Sequence, residues 1–312
     1  MGTNPVSHGW GGTRSNIARL GYGKSVDDGE DHQSTGRFEF EGFSIPKELA
    51  VLTGGGEETW EAISRLHMAA YDRYGPIHAG HDVLEVGCGV GRDAIPLIQV
   101  LGPEGSYLGV DITRPSVSWC QDNITVRHPN AIFEHFDIYS KMYNPSGTMS
   151  ASEVSFPIED GRIDRIILQS VFTHMFEREI VHFLSEFRRV LRPEGLVFAT
   201  FFVLDDESMK LTTERSAELT FRHARGEGCR ITDPLSPKTA VGYTPQALDR
   251  MLRRSGMAFE QPVHYGFWSG RQDTPDGQDI AILKRSDRGR MSRLQRKLLG
   301  TSPKTGSTNA HT

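Results

Sequence analysis

The stretch HDVLEVGCGVGRDAI, residues 81–95, sets a short apolar run, Val83 to Val86, directly ahead of three glycines at alternate positions, Gly87, Gly89 and Gly91. An apolar run bounded by glycine reads as a buried strand. Alternating glycines let the chain turn through left-handed angles with no Cβ between the backbone and a ligand. Arg92 to Val100 then reads as the helix whose N-terminus closes the turn. Strand, glycine turn and helix in that order form a nucleotide-binding opening of an α/β domain, and the spacing narrows the nucleotide. A dinucleotide fingerprint requires Gly-x-Gly-x-x-Gly, but the third glycine comes one residue early and Arg92 fills its slot. A P-loop requires Lys followed by Ser or Thr after the glycines, and that pair is absent.

Two further strands extend the pattern. Tyr107 to Asp111 follows the turn Gly102-Pro103-Glu104-Gly105 and ends in an acid, about twenty residues past the glycines, where nucleotide-binding α/β folds place the carboxylate that receives ribose hydroxyls. An N-cap role for Asp111 is compatible with that one. A helix is expected from Pro115 to Val126. Ala131 to Phe136 forms a third strand that runs into Asp137 and Ile138. With Glu85 just ahead of the glycines, three strands each end at an acid.

This constellation resembles the class I S-adenosylmethionine-dependent methyltransferases over about residues 55–285. The resemblance implies a Rossmann-like α/β fold, with a seven-stranded mostly parallel sheet, an antiparallel last strand and helices on both faces. It implies S-adenosyl-L-methionine as cofactor, with Glu85 near the methionine moiety and Gly87, Cys88, Gly89 and Gly91 admitting the amino-acid and ribose parts. Asp111 and Ile112 then belong at the ribose. Asp137 belongs at the adenine amino group, with Ile138 over the ring, and Gln169 lies at the end of the fourth strand.

That fourth strand, Arg165 to Gln169, leads into SVFTHM, residues 170–175, which is similar to the same region of bacterial small-molecule methyltransferases. His174 falls at the carboxyl edge of the sheet, on the ligand side of an open α/β fold. Two readings are open: a base that accepts the proton of a substrate hydroxyl, or a structural histidine that packs on the cofactor or caps the next helix. The Asn-Pro-Pro-Tyr motif of enzymes that methylate base amines is absent at this point. Ile180, Phe183, Leu184, Phe187 and Leu191 share one helical face, and Leu196 to Leu204 is an apolar fifth strand. Two closing strands are expected, Phe259 to Trp268 and Gln278 to Lys284.

Before the first glycine-linked strand, Trp60, Ile63, His67, Ala70, Tyr71 and Tyr74 recur at helical spacing between Gly54 and Gly75. Residues 139–160 form a long connection, and residues 205–243 have no place in the minimal fold. They read either as an inserted substrate cap or as a surface excursion. Candidate substrate contacts are Tyr143, Phe172, Phe221, His223 and Tyr243.

The chain has 312 residues, a formal net charge of −5 and a pI near 6.2, so it lacks the footprint of a protein that binds bulk nucleic acid. Its three cysteines, Cys88, Cys120 and Cys229, make no Cys-x-x-Cys pair, which fits a reducing cytoplasm. No apolar stretch reaches the length of a membrane span. His174 with Glu177 or Glu179 lacks a full ligand set, so no metal is expected. The division expected is a mobile N-terminal arm over 1–45, the methyltransferase domain over 46–285, and a basic, disordered tail over 286–312. The oligomeric state is left open. The expected reaction is transfer of a methyl group to a hydroxyl of a polar small molecule, such as a sugar or secondary metabolite. The rivals are N-methylation of a small amine and a cofactor-binding regulatory protein without catalysis.

Overall fold

The structure is a computed structural model that describes residues 36–214 and 219–286. The expected arm up to residue 35 and the basic tail from residue 287 lie outside the described residues.

Within the described part, residues 36–46 depart from the expected arm. They form a hairpin, β1 (Arg37–Phe40) paired antiparallel with β2 (Phe43–Pro46). Its two-residue turn, Glu41-Gly42, takes φ of 46° and 80°, the positive values that match the twist of paired strands. Phe40, Phe43 and Ile45 are buried, and both Phe38 and Phe40 meet the edge of Trp60. Burying three such side chains, at about 1.5–3 kcal/mol each, holds this hairpin on the domain.

Two helices follow, α1 (Lys47–Leu52) and α2 (Glu57–Tyr74), the second burying Trp60, Ile63, His67, Ala70 and Tyr71 at three- and four-residue intervals. The central sheet then builds from β3 (Asp82–Val86), α3 (Ala94–Leu101), β4 (Ser106–Asp111), α4 (Arg114–Cys120) and β5 (Ala131–His135). A π-helical turn, Gln121–Thr125, extends α4. Next come β6 (Ile163–Leu168), α5 (Glu177–Val190) and β7 (Leu191–Phe201). The insertion contains α6 (Asp206–Glu214) and a small antiparallel sheet of β8 (His223–Ala224), β9 (Cys229–Ile231) and β10 (Val241–Tyr243). The chain closes the sheet with α7 (Pro245–Ser255), β11 (Met257–Phe259) and β12 (Asp279–Arg285).

The large sheet has seven strands in the order β11-β12-β7-β6-β3-β4-β5, and β12 runs antiparallel to both its neighbours while the β7-to-β5 pairs are parallel. Alternation along the strands splits the core in two. Leu84, Ile166, Val197 and Leu283 stand in register on one face, under Ile180, Phe183 and Leu184 of α5 and Leu248 and Met251 of α7. Ile167, Phe198 and Ile282 stand one residue along and face the other way, toward Trp60 and Tyr71 of α2 and Ile95 and Leu97 of α3. Helices therefore cover both faces, and the carboxyl ends of β3, β4 and β6 open at one edge.

Asp279 of β12 holds the ring against which the insertion packs. Its buried carboxylate accepts the N–H of Val203 at 2.7 Å, of Gly266 at 2.8 Å and of the Trp268 indole at 2.8 Å. Trp268, Phe202 and Phe221 then pack as a trio with ring centroids 5.0–5.4 Å apart.

Candidate active site

A cavity of about 430 Å³ opens at the carboxyl edge, within the range of about 300–1,000 Å³ usual for small-molecule sites. Its floor is the glycine turn. Gly87 and Gly89 take φ of 81° and 52°, and a Cβ on them would come within 2.7 Å of Val171 and 2.5 Å of Thr53. The chain therefore turns here only as glycine. The segment between α1 and α2 is docked onto this turn: the N–H of Val90 donates to Thr53 Oγ1 at 3.1 Å, and the Arg92 guanidinium donates to the Gly54 carbonyl at 2.5 Å.

Asp111 ends β4 against the same turn. One carboxylate oxygen accepts the Gly89 N–H at 2.8 Å, and the other accepts the Thr113 N–H at 2.7 Å and the Thr113 hydroxyl. These bonds fix the carboxylate in place while leaving acceptor capacity on both oxygens. Ile112, Phe136 and Ile138 add an apolar wall beside it, and Gln169 lines the cavity from the end of β6. A fixed acceptor beside a turn whose Gly87 and Gly89 present no Cβ, together with an apolar slot, fits an adenosine moiety. Asp111 would take its ribose hydroxyls and Ile112, Phe136 and Ile138 would cover its base.

The chain leaves β6 through Ser170, whose φ of 57° is rare for a residue with a Cβ. Its N–H donates to Thr200 Oγ1 at 2.7 Å, and its hydroxyl receives the Gln278 amide at 2.9 Å. This bend carries the chain into the short 3-10 turn Phe172–His174, which sets His174 on the cavity wall. His174 Nδ1 lies 2.9 Å from the Lys238 carbonyl. A carbonyl only accepts, so Nδ1 carries the proton and Nε2 the lone pair. Burial lowers the imidazole below its ordinary value, which keeps it neutral. The Tyr143 ring meets it edge-on at 6.1 Å.

Of the residues singled out in the sequence, Gly87, Gly89, Asp111, Ile112, Ile138, Gln169, Tyr143 and His174 share this one cavity. The others are placed elsewhere. Glu85 stands in register with Gly109 and Ile167, so alternation turns it to the α2–α3 face. There it accepts the Tyr107 hydroxyl, and burial pushes its carboxyl well above the usual carboxylate range. Cys88 is buried beneath the turn, and Gly91 packs toward Ile124 of the π-helical turn. Asp137 is spent on the 139–149 loop, accepting the Thr148 hydroxyl at 2.7 Å and the Asn144 amide at 3.4 Å.

Four expected substrate contacts do not reach the cavity. Phe172 is fully buried between Phe187 and Phe201, Phe221 belongs to the trio with Trp268, and His223 is exposed on β8. Tyr243 is also buried, and its hydroxyl donates to the Met175 carbonyl at 2.9 Å. It supports the segment that carries His174 from behind. Burial raises its phenol far above the ordinary value, so it stays a donor.

The structure adds wall residues that sequence reading missed: Thr53, Gly54 and Thr113 at the cofactor end, and Lys141, Met142, Met175, Phe176, Glu179 and the Ser236–Lys238 segment at the other. The run Thr53-Gly54-Gly55-Gly56 ahead of α2 was the visible signal for the first group. Among the described residues, no three His, Cys, Asp or Glu side chains are grouped to hold a metal, and no helix is long and apolar enough to cross a membrane.

Residues 83–195, from β3 into β7, match the family model described as a methyltransferase domain. A protein of Mycolicibacterium smegmatis named "Probable S-adenosylmethionine-dependent methyltransferase" is 28% identical over 161 residues, 52% of each chain. A human tRNA N(3)-cytidine methyltransferase is 23% identical over 202 residues, 64% of this chain and 48% of its own. The chain thus spans about half the length of these curated relatives. Among solved structures, a 1,6-didemethyltoxoflavin N1-methyltransferase of Burkholderia thailandensis with bound S-adenosylhomocysteine is 15% identical with a TM-score of 0.46, covering 74% of this chain and 80% of that one.

Proposed function

We propose that the chain is a class I S-adenosylmethionine-dependent methyltransferase, a reading supported by the methyltransferase-domain match over residues 83–195, and that it methylates a hydroxyl group of a small molecule. When bound, the cofactor supplies a sulfonium methyl group that is electrophilic without further activation. The protein's part is to bind, orient and deprotonate. Asp111 and the glycine turn would hold the adenosyl part at one end of the cavity. Tyr143, Met175 and Phe176 would hold the acceptor at the other and keep water out. The acceptor hydroxyl would give its proton to His174 Nε2.

One observation carries the choice of a hydroxyl acceptor. A neutral histidine, with its Nδ1 proton committed to a backbone carbonyl, stands on the wall of the same cavity as the ribose carboxylate. An amine acceptor with its own lone pair has little use for such a base. The apolar walls and the net charge of −5 support a small molecule over a polynucleotide.

His174→Ala tests the reading. Turnover on a hydroxyl acceptor should fall by about 10²–10⁴, the usual worth of a general base, with the affinity for S-adenosylhomocysteine kept. Near-normal turnover would remove the base and turn the reading toward an amine. Methylation of transfer RNA but of no small molecule would overturn it.

A further inference from the structure

The acceptor end of the cavity is apolar along most of its wall, with Met142, Tyr143, Met175, Phe176 and Phe183, yet it carries three ionised side chains, Lys141, Glu179 and Lys238. Two of the three neutralise each other. Glu179 Oε1 is 2.6 Å from Lys238 Nζ, and its second oxygen accepts the Phe176 N–H at 2.9 Å at the start of α5. Lys238 also lies over the Phe176 ring, 5.6 Å from its centroid. Both oxygens of Glu179 are thus occupied, and Lys238 is committed in charge and position.

Lys141 is different. Its ammonium reaches only the Leu235 carbonyl, at 3.5 Å, and no carboxylate of the described residues pairs with it. That contact joins the two loops that frame the cavity mouth, one from the 139–149 connection and one from the insertion. The side chain is exposed and lines the cavity at the same time. With His174 neutral, the acceptor end has one uncompensated charge, and it is positive.

Resting on the methyl-transfer reading above, we propose that the acceptor is a hydroxyl compound with an apolar body and an acidic group, and that Lys141 is the residue that selects it. The apolar body fills the space between Tyr143 and Phe176, the hydroxyl meets His174, and the anion leaves the cavity at the mouth and pairs with Lys141. The Lys238–Glu179 pair sets the depth of the pocket and gives the anion no competing repulsion, because its carboxylate is already neutralised.

The test uses the full chain with S-adenosylhomocysteine bound and measures binding of matched probes, hydroxyphenylacetate against hydroxyphenylacetamide, by calorimetry. The acid should bind about tenfold more tightly than the amide, the size of one charge-assisted hydrogen bond, and Lys141→Glu should reverse the order. Three results would overturn the proposal: equal binding of acid and amide, a preference for the acid that survives Lys141→Glu, or no binding of either probe by a protein that still binds S-adenosylhomocysteine. That last outcome leaves the methyltransferase reading standing. Failure of the wild type to bind S-adenosylhomocysteine removes that reading itself, and this inference with it.

Discussion

The two ends of the cavity are held by different kinds of structure. At the cofactor end the central wall residues stand at strand ends: Asp111 ends β4 with its carboxylate pinned by the Gly89 and Thr113 N–H groups, and Gln169 follows β6 directly. At the acceptor end, Lys141, Tyr143 and Lys238 sit on loops, and His174 sits on a single 3-10 turn that depends on neighbours for support. A rigid end suits a constant ligand and a loop-built end a variable one. On the proposed reading, the division also separates what binds from what reacts.

The largest effect that would break this division comes from the glycine floor. Gly89→Ala puts a Cβ at φ 52° and within 2.5 Å of Thr53, a strain of about 1–3 kcal/mol that must be relieved by moving the turn or the 53–56 segment. The expected outcome is a lower melting temperature with S-adenosylhomocysteine affinity reduced about tenfold or more. Unchanged affinity would mean that the turn does not shape the cofactor end.

A smaller effect sharpens the contrast from the other side. Tyr243→Phe removes the hydroxyl bonded to the Met175 carbonyl and should cost about 1 kcal/mol of stability in denaturant unfolding. Turnover should fall several-fold through a looser His174, with cofactor affinity unchanged. A loss of cofactor affinity instead would show that the two ends are coupled.

The smallest effect is in pH. His174 is held below its ordinary value by burial, so in the folded protein it takes up a proton only below about pH 6.5. The acid limb of the turnover profile should therefore lie below that pH and disappear in His174→Ala. A limb above it, or one that survives the substitution, would assign the titration to another group.

The same division explains what was legible in the sequence. The first strands, the glycine turn and Asp111 follow from apolar runs, glycine spacing and strand ends, all of which are local signals, whereas the closing strand expected over Phe259 to Trp268 is instead the short β11, Met257–Phe259, followed by irregular chain and a 3-10 turn. Glu85 and Asp137 were visible as acids at strand ends, but their partners were not: the side to which Glu85 points depends on its register with β4 and β6, and Asp137 is claimed by Thr148 and Asn144 across a loop. Phe221 and Tyr243 looked like cap residues because nothing in their segment announces Trp268 or Met175 as partners. Lys141 and Lys238 are brought to one cavity by two long connections without periodicity. The hairpin over 37–46 was readable, since Phe38, Phe40, Phe43 and Ile45 alternate about Glu41-Gly42, but the polar stretch before it obscured the pattern.

The most direct test of the account is calorimetric titration of S-adenosylhomocysteine into the wild type and Asp111→Ala. The account predicts binding by the wild type and a loss of about 100-fold in the variant, from two bonds to a charged acceptor at about 1.5 kcal/mol each. No binding by the wild type, or equal binding by the two proteins, would contradict it.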